Sequence, residues 1–105
     1  MSDCIFCKIS SGLFDTDFVY EDDLCVVFPD INPKAKTHLL VVPKSHLPSI
    51  AESEATDKDL LGHLLHVCKI VADNLGLPGF RLQINVGKDG GQEVFHLHIH
   101  LLSKF

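Results

Sequence analysis

The chain has no cluster of basic residues, no long apolar run, no low-complexity segment and no internal repeat. Nine Lys and Arg stand against 14 Asp and Glu, for a formal net charge of −5. That balance argues against the broad cationic footprint with which proteins bind nucleic acid or acidic membrane surfaces. A small anionic ligand stays compatible with it, because a few amides and imidazoles act at short range. The longest apolar run, Leu39 to Val42 and then Pro43, is far too short to span a bilayer. The opening MSDCIFCKIS lacks the basic and apolar regions of a secretory signal. Four cysteines (Cys4, Cys7, Cys25, Cys68) without such a signal point to reduced thiols in the cytoplasm rather than to disulfides.

What is present suits one compact unit. A length of 105 residues, 46% of them hydrophobic, supports a single domain over 1–105 with its own core. Strand-like runs cover Val19–Glu21 and Cys25–Phe28, with Asp22-Asp23 as the turn between them. Pro29 to Lys36 has loop chemistry, with two prolines, an Asp and an Asn. Thr37–Val42 reads as a strand buried on both faces, because its apolar residues are consecutive. From Thr56 to Leu75 the apolar positions take three/four spacing, so the main helix is expected there, with Thr56 as N-cap and Gly76 as left-handed C-cap. Phe80–Val86 alternates apolar with polar, Gly87–Gly91 is a turn, and Val94–Leu102 is the last strand. Short connections between sequential strands favour an antiparallel sheet of about five strands carrying one main helix, an α+β fold.

The last strand is chemically loaded. In HLHIH, extended backbone sends His96, His98 and His100 to one face and Leu97, Ile99 and Leu101 to the other. A neutral imidazole is available near pH 7 as nucleophile or base, and a protonated neighbour can donate to a phosphate oxygen or leaving group. The competing readings are a metal centre and an unused solvated face. The preceding G-K-D-G-G suits close approach of backbone amides to an anion, and equally an ordinary hairpin turn.

The run His96-Leu97-His98-Ile99-His100-Leu101-Leu102 resembles the signature of the histidine triad family, in which apolar residues separate three histidines. DCIFCKI at the start, FPDINPKAKTHLLVVPKSH in the middle and NVGKDGGQEVFHLHIH at the end are similar to its Hint-type branch. The resemblance implies hydrolysis of purine nucleoside 5′-phosphoramidates through a nucleotidyl-histidine intermediate on His98. His100 would contact the phosphate and His38 would support the cluster. Asp30 would hold the ribose hydroxyls and Ile31 would lie against the base. Asn85, Gly91, Gln92, Glu93 and Val94 would surround the phosphate. Dinucleoside polyphosphate hydrolysis and nucleotidyl transfer are the alternatives within the superfamily, and a binding module without turnover is the alternative outside enzymes. A homodimer is also implied. Glu93 departs from the Ser that eukaryotic Hint-type proteins carry there, which bears on the choice of amine leaving group.

Cys4-Ile5-Phe6-Cys7 has the C-x-x-C spacing of half a zinc site, and equally that of two small packed residues. Resemblance to bacterial histidine triad proteins completes the set with His46 and His96, a structural Zn²⁺ site with four protein ligands. His63 and His66 are expected on the helix surface, and Cys25 and Cys68 in the core.

Overall fold

A computed structural model describes residues 4–105. Five strands form one antiparallel sheet: β1 (Tyr20–Glu21), β2 (Cys25–Pro29), β3 (Thr37–Pro43), β4 (Arg81–Gln83) and β5 (Ile99–Ser103), in the spatial order β1-β2-β3-β5-β4. The long helix α2 (Lys58–Asn74) packs on one face, as the α+β expectation required. β3 lies at the centre, where its unbroken apolar run is needed because both faces are covered. Leu39 and Val41 join Cys25, Val27, Ile99 and Leu101 beneath the Leu64, Val67, Cys68 and Val71 stripe of α2. Leu40 and Val42 join Val26 and Phe28 on the opposite face.

That opposite face is covered in part by α1 (Ile5–Ser10), a helix of six residues whose Phe6 is buried against Phe28. No periodicity announces so short an element. It forms because Phe6 and Ile9 have an apolar surface to meet and because Cys4 caps it, its Sγ accepting from the Cys7 amide at 3.3 Å.

Three boundaries depart from the sequence expectation. Thr56 is not the N-cap. A 3₁₀ turn (Ala55–Asp57) precedes α2, and the carboxylates of Glu54 and Asp57 satisfy each other's backbone amides in a capping box. The C-cap is as expected: Gly76 has φ +66°, with Leu77 N–H on the Ala72 carbonyl and Gly76 N–H on that of Asp73. The alternating run 80–86 holds only three residues in the sheet, because β4 is an edge strand paired to β5 alone. Regular pairing of the last strand begins at Ile99 rather than Val94, since residues 94–96 bend and Leu97 N–H reaches the Leu47 carbonyl instead of a strand partner.

Candidate active site

The histidine alternation survives that late start. Leu97, Ile99 and Leu101 enter the core under α2, and the three imidazoles take the other face. Register then assembles their neighbours. Leu40 and Gln83 both pair with His100, while His38 and Arg81 both pair with Leu102, so all six share one sheet face.

Hydrogen bonds set which ring nitrogen carries each proton. His98 Nδ1 lies 2.7 Å from the His96 carbonyl and donates to it. Its Nε2 therefore keeps the free lone pair in the neutral ring, as a nucleophile requires. The Lys34 amide donates to His38 Nδ1 at 3.0 Å. This leaves the proton on His38 Nε2, which donates to His100 Nδ1 at 2.9 Å and lies 3.4 Å from Asp30 Oδ2. His100 consequently holds its own proton on Nε2 when neutral. Burial, then the adjoining His98 and His38, lower the pKa of His100 from its ordinary value.

These rings border a cavity of about 510 Å³. Of the residues singled out from sequence, Asp30, His38, Asn85, Gly91, Glu93, Val94, His98 and His100 line it. Two do not. Ile31 stands 91% exposed outside the lining, because the Asx turn in which Asp30 Oδ1 accepts from Asn32 N–H swings it outward. Gln92 is 4% exposed and occupied elsewhere: its Oε1 accepts from Gly87 N–H at 2.9 Å, and its Nε2 donates to the carbonyls of Pro48 at 2.7 Å and Val94 at 3.0 Å. It braces the glycine loop, whose Gly87 (φ +74°) and Gly91 (φ +86°) occupy backbone conformations that side chains disfavour.

The lining also contains groups that sequence reasoning missed: Phe6, Lys34, Arg81, Gln83 and Phe105. The Arg81 guanidinium lies 4.2 Å over the Phe105 ring. Among the described residues neither Lys34 nor Arg81 has an ion-pair partner. The polar positions of the run 80–86 were the available signal for Arg81 and Gln83. Only the β4–β5 register puts them beside His100.

Cys4, Cys7, His46 and His96 converge behind the triad. His96 Nδ1 is 3.3 Å from Cys4 Sγ, 3.5 Å from Cys7 Sγ and 3.2 Å from His46 Nδ1, and Cys7 Sγ is 3.3 Å from His46 Nδ1. Tetrahedral zinc, with Zn–N near 2.0–2.1 Å and Zn–S near 2.3 Å, requires N···N of about 3.3 Å and N···S of about 3.6 Å. The donor set fits that ion. His96 Nε2 meanwhile donates to the Pro43 carbonyl at 2.8 Å, which turns the Nδ1 lone pair to the cluster. Burial lowers the His96 pKa, keeping the ring in the neutral form that a metal needs, while burial and the neighbouring Cys4 raise that of Cys7.

A separate polar cluster ties the β1–β2 turn to α2. His63, expected on the surface, is half-buried with Nε2 2.7 Å from Asp22 Oδ2, which also accepts from the Tyr20 hydroxyl at 2.9 Å. The amides of Leu24 and Cys25 donate to Asp22 Oδ1. Exposed His66 is as expected.

Residues 3–105 match the family model described as "Scavenger mRNA decapping enzyme C-term binding". An uncharacterised HIT-like protein of Synechococcus elongatus is 50% identical over 101 residues, covering 95% of this chain and 89% of the relative. Protein HitA of Neisseria gonorrhoeae is 48% identical over 103 residues, covering 97% and 96%. A solved histidine triad protein from Clostridium difficile superposes with a TM-score of 0.96 at 44% identity, covering 100% of this chain and 93% of the other. A HIT family hydrolase from Legionella pneumophila gives a TM-score of 0.92, also at 44% identity, with 96% and 92% covered. With the imidazole face, its register and these relatives all agreeing, the chain belongs to the histidine triad family.

Proposed function

We propose that the chain is a single-domain hydrolase of the Hint-type branch, releasing purine nucleoside 5′-monophosphates from phosphoramidates. The observation that carries this reading is the His98 Nδ1–H bond to the His96 carbonyl, which frees Nε2 at the wall of the cavity. His98 Nε2 attacks the α-phosphorus, a P–N(His) bond forms, and the P–N bond to the amine breaks. The amine leaves with a proton donated from the His38–His100 pair in its singly protonated, cationic form. Water then attacks phosphorus and returns a proton to that pair, the bond from phosphorus to His98 Nε2 breaks, the nucleotide departs, and His98 is restored. The sequence of two displacements replaces one difficult step. Asp30 receives the ribose, and the open lining around Asn85, Gly91, Glu93 and Val94 receives the phosphate and leaving group. The Legionella relative's designation as a hydrolase supports turnover over simple binding.

Cys4, Cys7, His46 and His96 hold a structural zinc on this reading. Four protein ligands leave no open coordination position, so the metal supplies rigidity and takes no step in the reaction. The unpaired thiols suit a cytoplasmic protein. The β4 edge, exposed along its length, is the surface on which a homodimer would extend the sheet.

One observation favours a second reading, hydrolysis of dinucleoside polyphosphates or nucleotidyl transfer. Lys34 and Arg81 on the lining, which have no ion-pair partner among the described residues, suit additional phosphates, and the matching family model is named for a decapping enzyme. Turnover of an adenosine phosphoramidate and of diadenosine polyphosphate by the same preparation separates the two. His98→Ala should reduce phosphoramidate turnover by at least about 1,000-fold with the fold intact, and rapid-quench mass spectrometry should find the nucleotidyl adduct on His98. Residual activity within a few-fold of wild type, or an adduct elsewhere, would overturn the mechanism.

A further inference from the structure

We propose that the metal clip and the nucleotide cavity are thermodynamically coupled, with Phe6 as the positioning residue between them. The proposal rests on the zinc and nucleotide readings above and concerns how the two sites act on each other.

Phe6 sits between the two thiol ligands on the same turn of α1, and its ring turns inward. It meets His98 edge-on, with ring centroids 5.0 Å apart and planes at 90°. It meets His96 at 6.0 Å and Phe28 at 5.8 Å. It is also part of the cavity lining. One turn of helix therefore carries half of the metal donors, a wall of the cavity, and a direct contact to the proposed nucleophile.

A six-residue helix has little stability of its own, because nucleation costs more than so few backbone bonds return. What holds α1 down is the small apolar cluster around Phe6 and the four-ligand set reaching the 43–46 segment and His96. An ion bound to Cys4, Cys7, His46 and His96 ties three chain segments together and keeps Phe6 seated. Without the ion, α1 samples states in which Phe6 leaves the wall. Metal and nucleotide both favour the seated state, so each must tighten the other, and by the same factor. His96 adds a second link to the cavity, since its carbonyl accepts from His98 Nδ1.

The test uses AMP and zinc as binding probes on the whole chain, with cobalt(II) absorption as the check on tetrahedral coordination. AMP affinity is measured by calorimetry with and without zinc, and zinc affinity by chelator competition with and without AMP. The expected result is a change of roughly 5- to 20-fold, equal in the two directions within error. Phe6→Leu, which keeps most of the buried volume and so the fold, should bind both ligands with a factor below about two. A purely structural role for Phe6 would instead weaken both affinities and leave the factor intact, overturning its assignment. Cys4→Ser/Cys7→Ser should show the AMP affinity of zinc-stripped wild type. Tight tetrahedral metal binding with AMP affinity unchanged by it would overturn the coupling while the zinc reading stands. Wild type that binds no zinc, or no AMP in either form, would remove the corresponding reading and the coupling with it.

Discussion

Gln92 separates a ligand contact from a structural brace. Its carboxamide makes three hydrogen bonds to backbone groups of the loop and of Pro48, and it is buried outside the cavity lining. In Gln92→Ala these bonds go, and the Gly87 amide and the Pro48 and Val94 carbonyls must find water or stay unpaired. At about 1 kcal/mol net for each bond, the loss is about 3 kcal/mol, and a water entering the vacated space would bring it nearer 2. For a chain of this size that corresponds to a fall in Tm of roughly 8–18 °C. Gln92→Met keeps the volume but not the bonds, and should lose as much. The assay is urea denaturation at constant zinc, followed by circular dichroism, beside AMP titration of the folded variants. Unchanged stability with AMP affinity lost by 10-fold or more would refute the brace and restore Gln92 as a phosphate contact.

Other perturbations probe the remaining features. Burial pushes the Cys25 thiol up to about 12 and the Cys68 thiol up to about 11, so iodoacetamide at pH 7.5 should label Cys4 and Cys7 of zinc-free protein first, and equal labelling of all four by mass spectrometry would contradict the packing. Burial alone would raise the Asp22 carboxyl, but the Leu24 amide, His63, Tyr20 and the Cys25 amide together hold it well below the usual carboxylate range. Its stabilisation is therefore complete above the unfolded value of about 3.9 and fades as pH falls towards the lower folded value. Asp22→Asn should accordingly cost about 1–2 kcal/mol at pH 7, with the gap from wild type closing at strongly acidic pH, and a gap that is constant with pH would exclude the ionic contribution. Lys34→Gln with Arg81→Gln should weaken diadenosine tetraphosphate binding at least about 10-fold but AMP binding far less, if those cations receive additional phosphates. An equal loss for both ligands would place the cations on the nucleotide itself.

Much of the architecture was legible because burial leaves a periodic trace. The Leu64–Val71 stripe marked α2, and the unbroken Leu39–Val42 run marked a strand covered on both faces. The family signature likewise lay in contiguous residues, and most of the positions it named line one cavity. Features without such a trace were hidden. α1 is too short for a period to emerge, and the Glu54–Asp57 capping box competes with Thr56 in a stretch where several residues can cap. Gln92 looked like a ligand contact because sequence places it between glycines and histidines, whereas its carboxamide points to Pro48, 44 positions earlier.

The division between the two levels follows range. Alternation of side chains along a strand and three/four spacing along a helix are local, so the sequence by itself determined that His96, His98 and His100 share a face and that α2 buries one stripe. Which nitrogen carries the proton is set from far away in the chain for two of these imidazoles, His100 by His38, 62 positions apart, and His96 by the Pro43 carbonyl, 53 apart, whereas His98 is set by the His96 carbonyl only two residues away. Register across β3, β5 and β4 brought Leu40, Gln83 and Arg81 to that same face. The fold divides three similar histidines into a ring that faces Cys4, Cys7 and His46, a ring with its Nε2 lone pair free, and a ring that accepts a hydrogen bond from His38.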